Sequence, residues 1–170
     1  NISLNPFSSL CLTGDHSEIN SEIEIQVIGK YKVARDIIIT AKSIIATMCG
    51  VVGAPAREAL IEQAIYKGIE QFGPDLDITK LTKVLESFAD KNKDAQELAT
   101  SLFSYTSSGV YGKYFTGNSN ISFKKQLTVF EFEEIKNDRV FLSVIIQMVM
   151  MQIFLQVLCG DRKTHFLLIV

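Results

Sequence analysis

A chain of 170 residues, 47% hydrophobic and 21% charged, is long enough for one good core and a small second lobe, because domains mostly run ~100 to 200 residues. Its formal charge of -2 gives no electrostatic reason to expect strong nucleic-acid binding, which depends on lysine and arginine neutralising phosphates. Cys11, Cys49 and Cys159 stand far apart, which fits reduced thiols in a cytoplasmic setting better than a disulfide framework.

The opening stretch NISLNPFSSL has neither a basic start nor an apolar run of signal-peptide length, and it lacks an initiator methionine. Together with an apolar last strand that has no cap after it, this leads us to expect a segment of a longer protein. Asn5-Pro6 is a turn starter ahead of the apolar Phe7 and Leu10. Ile23, Ile25 and Val27 alternate with Glu22, Glu24 and Gln26, the period of a short half-buried strand with the apolar residues inward.

From Arg35 the period becomes helical. Ile37, Ile38, Ala41, Ile44, Ile45, Met48, Cys49 and Val52 recur at the spacing of one helix face, and Gly50 and Gly53 end the run. Pro55 suits a first helical position, and Leu60, Ile61, Ala64, Ile65, Ile69 and Phe72 form the next stripe before Gly73-Pro74. Asp77 can cap a third helix built on Ile78, Leu81, Val84, Leu85 and Phe88. A fourth is expected from Asp94 to about Tyr105. Four helices with short connections predict a compact all-α lobe over residues 35–106, preceded by a connecting segment, 1–34.

Residues 107–170 read differently. The stretch TSSGVYGKYFTGNSN is a structured but irregular loop. Leu127–Glu133 is β-branched and aromatic enough for a strand, and Lys136-Asn137-Asp138 supplies turn chemistry. Arg139–Cys159 is a helix apolar on nearly every side, and Thr164–Val170 is an apolar strand without a polar face. Two strands bridged by a crossover helix lie parallel under helical cover. The predicted class is therefore α/β, with a parallel βαβ piece beside the helical lobe. Phe141–Cys159 is also about as long as the ~20 residues a bilayer requires, but Gln147, Gln152 and Gln156 put amides on two faces, so a core helix is preferred over a membrane span.

Chemical motifs are sparse. Gly29-Lys30 and Gly112-Lys113 are the only Gly-Lys pairs. Neither has the earlier glycine or the following Ser/Thr of a phosphate-cradling loop, so each reads as a turn. There is no dinucleotide fingerprint after a strand and no CxxC or HExxH zinc pattern. His16 near Cys11 falls short of a metal site, and His165 reads as a structural residue opening a strand. Glu131 and Glu133, with Glu134, end the first strand of the βαβ piece, where ligands often bind such sheets. They either organise magnesium or catalysis, or simply mark where the strand leaves the core; the second reading is preferred. Tyr111, Tyr114 and Phe115 with Lys113 have the makings of a stacking platform for a base or nucleotide ring. The preferred alternative is a set of aromatics that plugs the junction between lobes.

The order of the pieces carries a resemblance. Ser3-Leu4-Asn5-Pro6-Phe7, a helical block, GVYGKYF from Gly109 to Phe115, a strand TVFEFEEI, an apolar helix and the closing Phe166–Val170 resemble the TraC-type conjugation ATPases of type IV secretion systems. The likeness implies a partial RecA-like P-loop domain with an all-α helical insertion. It further implies a full-length protein that binds ATP and Mg2+ and hydrolyses ATP to drive pilus assembly and DNA transfer. It implies other type IV secretion subunits as partners, hexamers, and a cytoplasmic place peripheral to the inner membrane, and it leaves DNA contact open. In that family the Walker A loop precedes the part matching Ser3–Phe7, and the Walker B acids follow the part matching Phe166–Val170. Neither is in this chain, so the resemblance carries over no catalytic residue and no cofactor site, and the segment alone is expected to be inactive. The alternative expectation is a helical interaction module that docks other secretion subunits without nucleotide.

Overall fold

The computed structural model describes residues 3–8, 24–117, 119 and 135–159, with the side chains of α6 described as far as Phe154. Described elements run β1 (Ile25–Ile28), β2 (Tyr31–Ala34), α1 (Arg35–Cys49), α2 (Pro55–Phe72), α3 (Ile78–Ala89), α4 (Lys93–Leu102), the short α5 (Gly112–Phe115) and α6 (Arg139–Cys159). Single 3-10 turns at Gly73–Asp75 and Phe103–Tyr105 join α2 to α3 and extend α4.

The first Gly-Lys pair is a hairpin turn. Gly29 takes a left-handed φ of 56°, and β1 pairs antiparallel with β2 in the register Ile25 to Ala34 and Ile28 to Tyr31. The burial expected from alternation is inverted: Ile25 and Val27 are exposed, whereas Ile28 and Val33 are buried. The reason lies in what covers the hairpin. Gln26 and Ile28 are on the face toward α2, where the Tyr66 hydroxyl donates to the Gln26 side chain at 2.8 Å.

Each of the four long helices of the lobe follows its apolar stripe. Helix α1 buries Ile37, Ile38, Ala41, Ile44, Ile45 and Met48 and stops at Gly50, whose φ of 66° only glycine adopts freely. Pro55 is the first residue of α2, where its missing N–H matters least. Asp77 caps α3, its side chain accepting from Lys80 N–H at 2.8 Å, and Asn92 caps α4 through Asp94 N–H at 2.9 Å; such caps are worth ~1 kcal/mol each. Gly68 in the middle of α2 leaves room for Leu76, which is fully buried; a Cβ there would press on the leucine methyls at 2.8 Å. One continuous core joins Leu4 and Phe7, the four helices, Phe115 and the first turns of α6.

This architecture corrects the α/β expectation. The described residues are mostly helical, their only sheet is the antiparallel hairpin, and they contain no parallel βαβ piece of RecA type. The strands expected at Leu127–Glu133 and Thr164–Val170 lie outside the described residues. Helix α6 lies along α1, with Phe141, Val144, Ile145 and Met148 buried. Helix-on-helix packing thus uses the apolar surface that the sequence reading assigned to covering a sheet. Among the described residues no helix is long and apolar enough to cross a membrane.

Candidate functional site

The loop after α4 is folded back on itself because two glycines permit it. Tyr111 N–H donates to Ser104 O at 2.9 Å and Gly109 N–H to Thr106 O at 2.8 Å. A Cβ on Gly109 would run into the carbonyls of Phe103 and Ser104, and one on Gly112 into that of Thr106. Side chains larger than hydrogen are therefore excluded by backbone contact.

This fold-back turns the aromatics inward. Tyr111 stacks on Phe141 of α6 with ring centroids 4.2 Å apart and planes 12° from parallel. Phe115, 1% exposed, meets Tyr105 and Phe141 edge-on at 5.5 and 6.3 Å, the quadrupole-favoured arrangements. Tyr114 is tilted against Phe141 at 5.3 Å. Lys113 alone of the four expected site residues is exposed, with Nζ 4.7 Å from the centre of the Tyr114 ring. Phe115 has no free face for a base, and one face of Tyr111 is taken by Phe141. The aromatics thus plug the contact between the loop and α6, and the second Gly-Lys pair opens the short α5. Glu131 and Glu133 lie outside the described residues, as do His16, Cys11 and His165.

Asp138 organises the edge of this cluster. Its Oδ2 accepts a very short hydrogen bond from the Tyr111 hydroxyl, and its Oδ1 accepts from Phe141 N–H at 2.9 Å, capping α6. Those two bonds, the tyrosine's first, hold the Asp138 carboxyl below the usual carboxylate range. The bonded carboxylate raises the Tyr111 phenol in turn, with burial a smaller cause. Burial pushes Tyr105 to about 12. Raised phenols are poor bases and poor nucleophiles at neutral pH, so this cluster is suited to holding two segments together rather than to transferring protons.

A second strand of contacts reaches the same place from the far end of the sequence. Leu4 N–H donates to Tyr114 O at 2.6 Å, and the Ser3 hydroxyl donates to Thr116 O at 2.7 Å. Asn5, 2% exposed, donates from Nδ2 to Leu76 O at 2.9 Å and accepts from Phe7 N–H at 3.0 Å. Ser8 Oγ accepts from Ser119 N–H at 2.7 Å. Leu4 and Phe7 are buried at 2% and 0% exposure. Sequence reasoning overlooked Asn5 and Asp138 as organising residues. The available signals were local: an Asn two residues before an aromatic, and an Asp three residues before the first buried position of α6.

Helix α6 is fastened to α1 by one polar contact as well. Gln147 Nε2 donates to Thr47 Oγ1 at 3.1 Å and lies 3.3 Å from Ser143 Oγ. Elsewhere on α6, Val140, Met150 and Phe154 are 51%, 43% and 42% exposed. Among the described residues no group of three or more His, Cys, Asp or Glu is placed to hold a metal ion. Comparison of the chain with protein-family models, with curated proteins and with solved structures finds no match in any of the three.

Proposed function

We propose that the chain is a helical interaction module that docks other subunits of a type IV secretion apparatus. The observation that supports this reading is on α6, which buries Phe141, Val144, Ile145 and Met148 yet leaves Val140, Met150 and Phe154 exposed. Met150 and Phe154, four residues apart, share one stripe of the helix, the spacing by which helix side chains enter an apolar groove of a partner. Clustered exposed apolar side chains mark interaction surfaces more often than single ones do. The partner class comes from the resemblance of Ser3–Phe7 and Gly109–Phe115 to TraC-type proteins, as does the proposed location in the cytoplasm, peripheral to the inner membrane. The test is pairwise binding to purified secretion subunits of the same transfer system. Met150→Lys with Phe154→Lys should abolish binding while leaving the helical circular dichroism unchanged; binding that survives both changes would sink this reading.

One observation favours a second reading, in which the chain is part of a TraC-type conjugation ATPase. Two of the segments that carry the resemblance, far apart in sequence, are hydrogen-bonded to each other through Leu4 N–H and Tyr114 O. On this reading ATP, Mg2+ and hexamer formation belong to the full-length protein, through Walker motifs outside this chain. The chain alone is then inert toward ATP, whereas a longer protein that includes both motifs turns it over. Michaelis-type turnover by the purified 170-residue chain would count against it.

A further inference from the structure

We infer that the outer edge of β1 docks β1 of a second copy of this chain, the two hairpins meeting around a two-fold axis to form one continuous antiparallel sheet. This rests on the hairpin alone and is independent of the secretion reading.

The hairpin fixes which backbone groups face outward. Along an antiparallel ladder, pairs that exchange hydrogen bonds alternate with pairs that do not. Arg35 N–H donates to Glu24 O at 2.9 Å, and the register sets Gln26 opposite Val33 and Ile28 opposite Tyr31. Glu24, Gln26 and Ile28 therefore bond toward β2, and the N–H and C=O of Ile25 and Val27 point away from it. Among the described residues nothing pairs on that far side: the sheet ends at β1, and no turn or loop bond reaches Ile25 or Val27. Their side chains are open as well, at 42% and 68% exposure.

An edge whose backbone groups and apolar side chains both face water is a template for another strand, and chains that keep such an edge single protect it with lysine, proline or a bulge. The edge of β2 is protected, since it carries Lys32 and its Ala34 is 2% exposed. From Ile25 to Ile28, β1 has no lysine, no proline and no break in register.

The edge is also complementary to itself. With Gln26 at the two-fold axis, Ile25 of each copy lies opposite Val27 of the other, and the outward N–H and C=O of both residues are satisfied. The two side chains that each copy leaves in water become cross-strand neighbours. Charge selects this antiparallel sense. It sets Glu24, at the start of β1, diagonally across from Lys30 of the second copy, whereas a parallel pair would put glutamate beside glutamate and lysine beside lysine. Lys30 is exposed, and among the described residues its ammonium meets the Tyr31 ring and no carboxylate. A strand this short buries little area, so the dissociation constant is expected on the order of 0.1 to 1 mM.

The experiment is sedimentation of the purified chain from about 0.02 to 1 mM, with residue-resolved amide hydrogen exchange at both ends of that range. The mass should rise toward that of two copies. Exchange at the Ile25 and Val27 amides should slow about twofold or more, while that at Lys32 and Ala34 stays unchanged. Val27→Pro removes an outward N–H and leaves the ladder to β2 intact, so it should hold the chain as a monomer with its circular dichroism unchanged. Val27→Lys adds the charge that protects natural edges and should weaken association at least about tenfold; it decides if the proline variant does not fold. A chain that stays monomeric at about 1 mM overturns the proposal, as does protection that falls on Lys32 and Ala34 instead. So does a dimer that withstands Val27→Lys and is dissolved by Met150→Lys with Phe154→Lys, which puts the contact on α6.

Discussion

Helices α3 and α6 start with the same device and differ in everything after it. Asp77 accepts from Lys80 N–H at 2.8 Å and Asp138 from Phe141 N–H at 2.9 Å. Along α3, Ile78, Leu81, Val84 and Leu85 are buried while Lys83 and Glu86 face water. Its rotation about its own axis is therefore dictated by its residues. Helix α6 has no charged side between Phe141 and Cys159, so several rotations would bury similar apolar area. What selects one of them is a small set of specific contacts: the Tyr111–Phe141 stack, the Gln147–Thr47 hydrogen bond and the bond from Tyr111 to Asp138. An amphipathic helix is oriented by its hydrophobic stripe, and a uniformly apolar one by its few polar and aromatic contacts.

The sharpest way to break this contrast is at Phe141. Phe141→Ala should lower stability by ~3–5 kcal/mol, because the aromatic cluster closes around that ring, whereas Phe154→Ala should stay within about 0.5 kcal/mol. Urea unfolding midpoints compare the two; equal losses would mean that α6 presents another face to α1. Next in size are the caps. Asp77→Ala and Asp138→Ala should each cost ~1 kcal/mol, with only the second removing the bond from Tyr111 as well, readable as a loss of aromatic near-ultraviolet dichroism. Gln147→Leu should cost about 0.5 kcal/mol, the low end for a hydrogen bond, because Thr47 keeps its bond to Ser43 O.

Acid sharpens the contrast further. Folding lowers the Asp138 carboxyl, so its contribution is complete above the ordinary aspartate value of ~3.9 and is lost as pH falls below that and through the depressed folded value. Tyr111→Phe removes the larger cause of that depression. Between pH 5 and 2.5, stability of the parent chain should therefore fall more steeply than that of the Tyr111→Phe chain; parallel curves would show that the bond contributes nothing. The smallest effect at neutral pH belongs to Cys49, which burial pushes up to about 12. Its thiol should alkylate at least about a hundredfold more slowly at pH 7.5 than a free thiol. Its contribution to stability, whole below the ordinary thiol value, should be lost only as pH climbs toward 12. Peptide mapping after iodoacetamide treatment separates it from Cys11 and Cys159.

These differences also explain what was legible in the residues. Helices α1 to α4 could be placed because each has a stripe; Pro55 and Asp77 marked two of the starts, and Gly50 and Gly73-Pro74 two of the stops. The hairpin was half legible: alternation indicated a strand, but the inward face depended on α2, and no local pattern encodes the Tyr66–Gln26 bond. Helix α6 was legible as a helix and misread in its surroundings, since an apolar surface packs equally well on a sheet or on α1. The aromatic cluster was visible as composition, whereas its closure, with Phe115 buried and Tyr111 stacked on Phe141, depends on partners distant in sequence. The seat of residues 3–8 was hidden because Asn5 and Leu76 meet only in space.

The Asn5 clasp has a chemical lifetime written into it. Asparagine ages when the backbone nitrogen of the next residue attacks the side-chain amide and expels ammonia, a ring closure that needs an N–H to give up. At Asn5 that nitrogen belongs to Pro6, which has none; at Asn92, the cap of α4, it belongs to Lys93, which does. Of these two asparagines, the exposed cap should therefore be the one that loses its amide in long storage, while the buried Asn5 keeps its own.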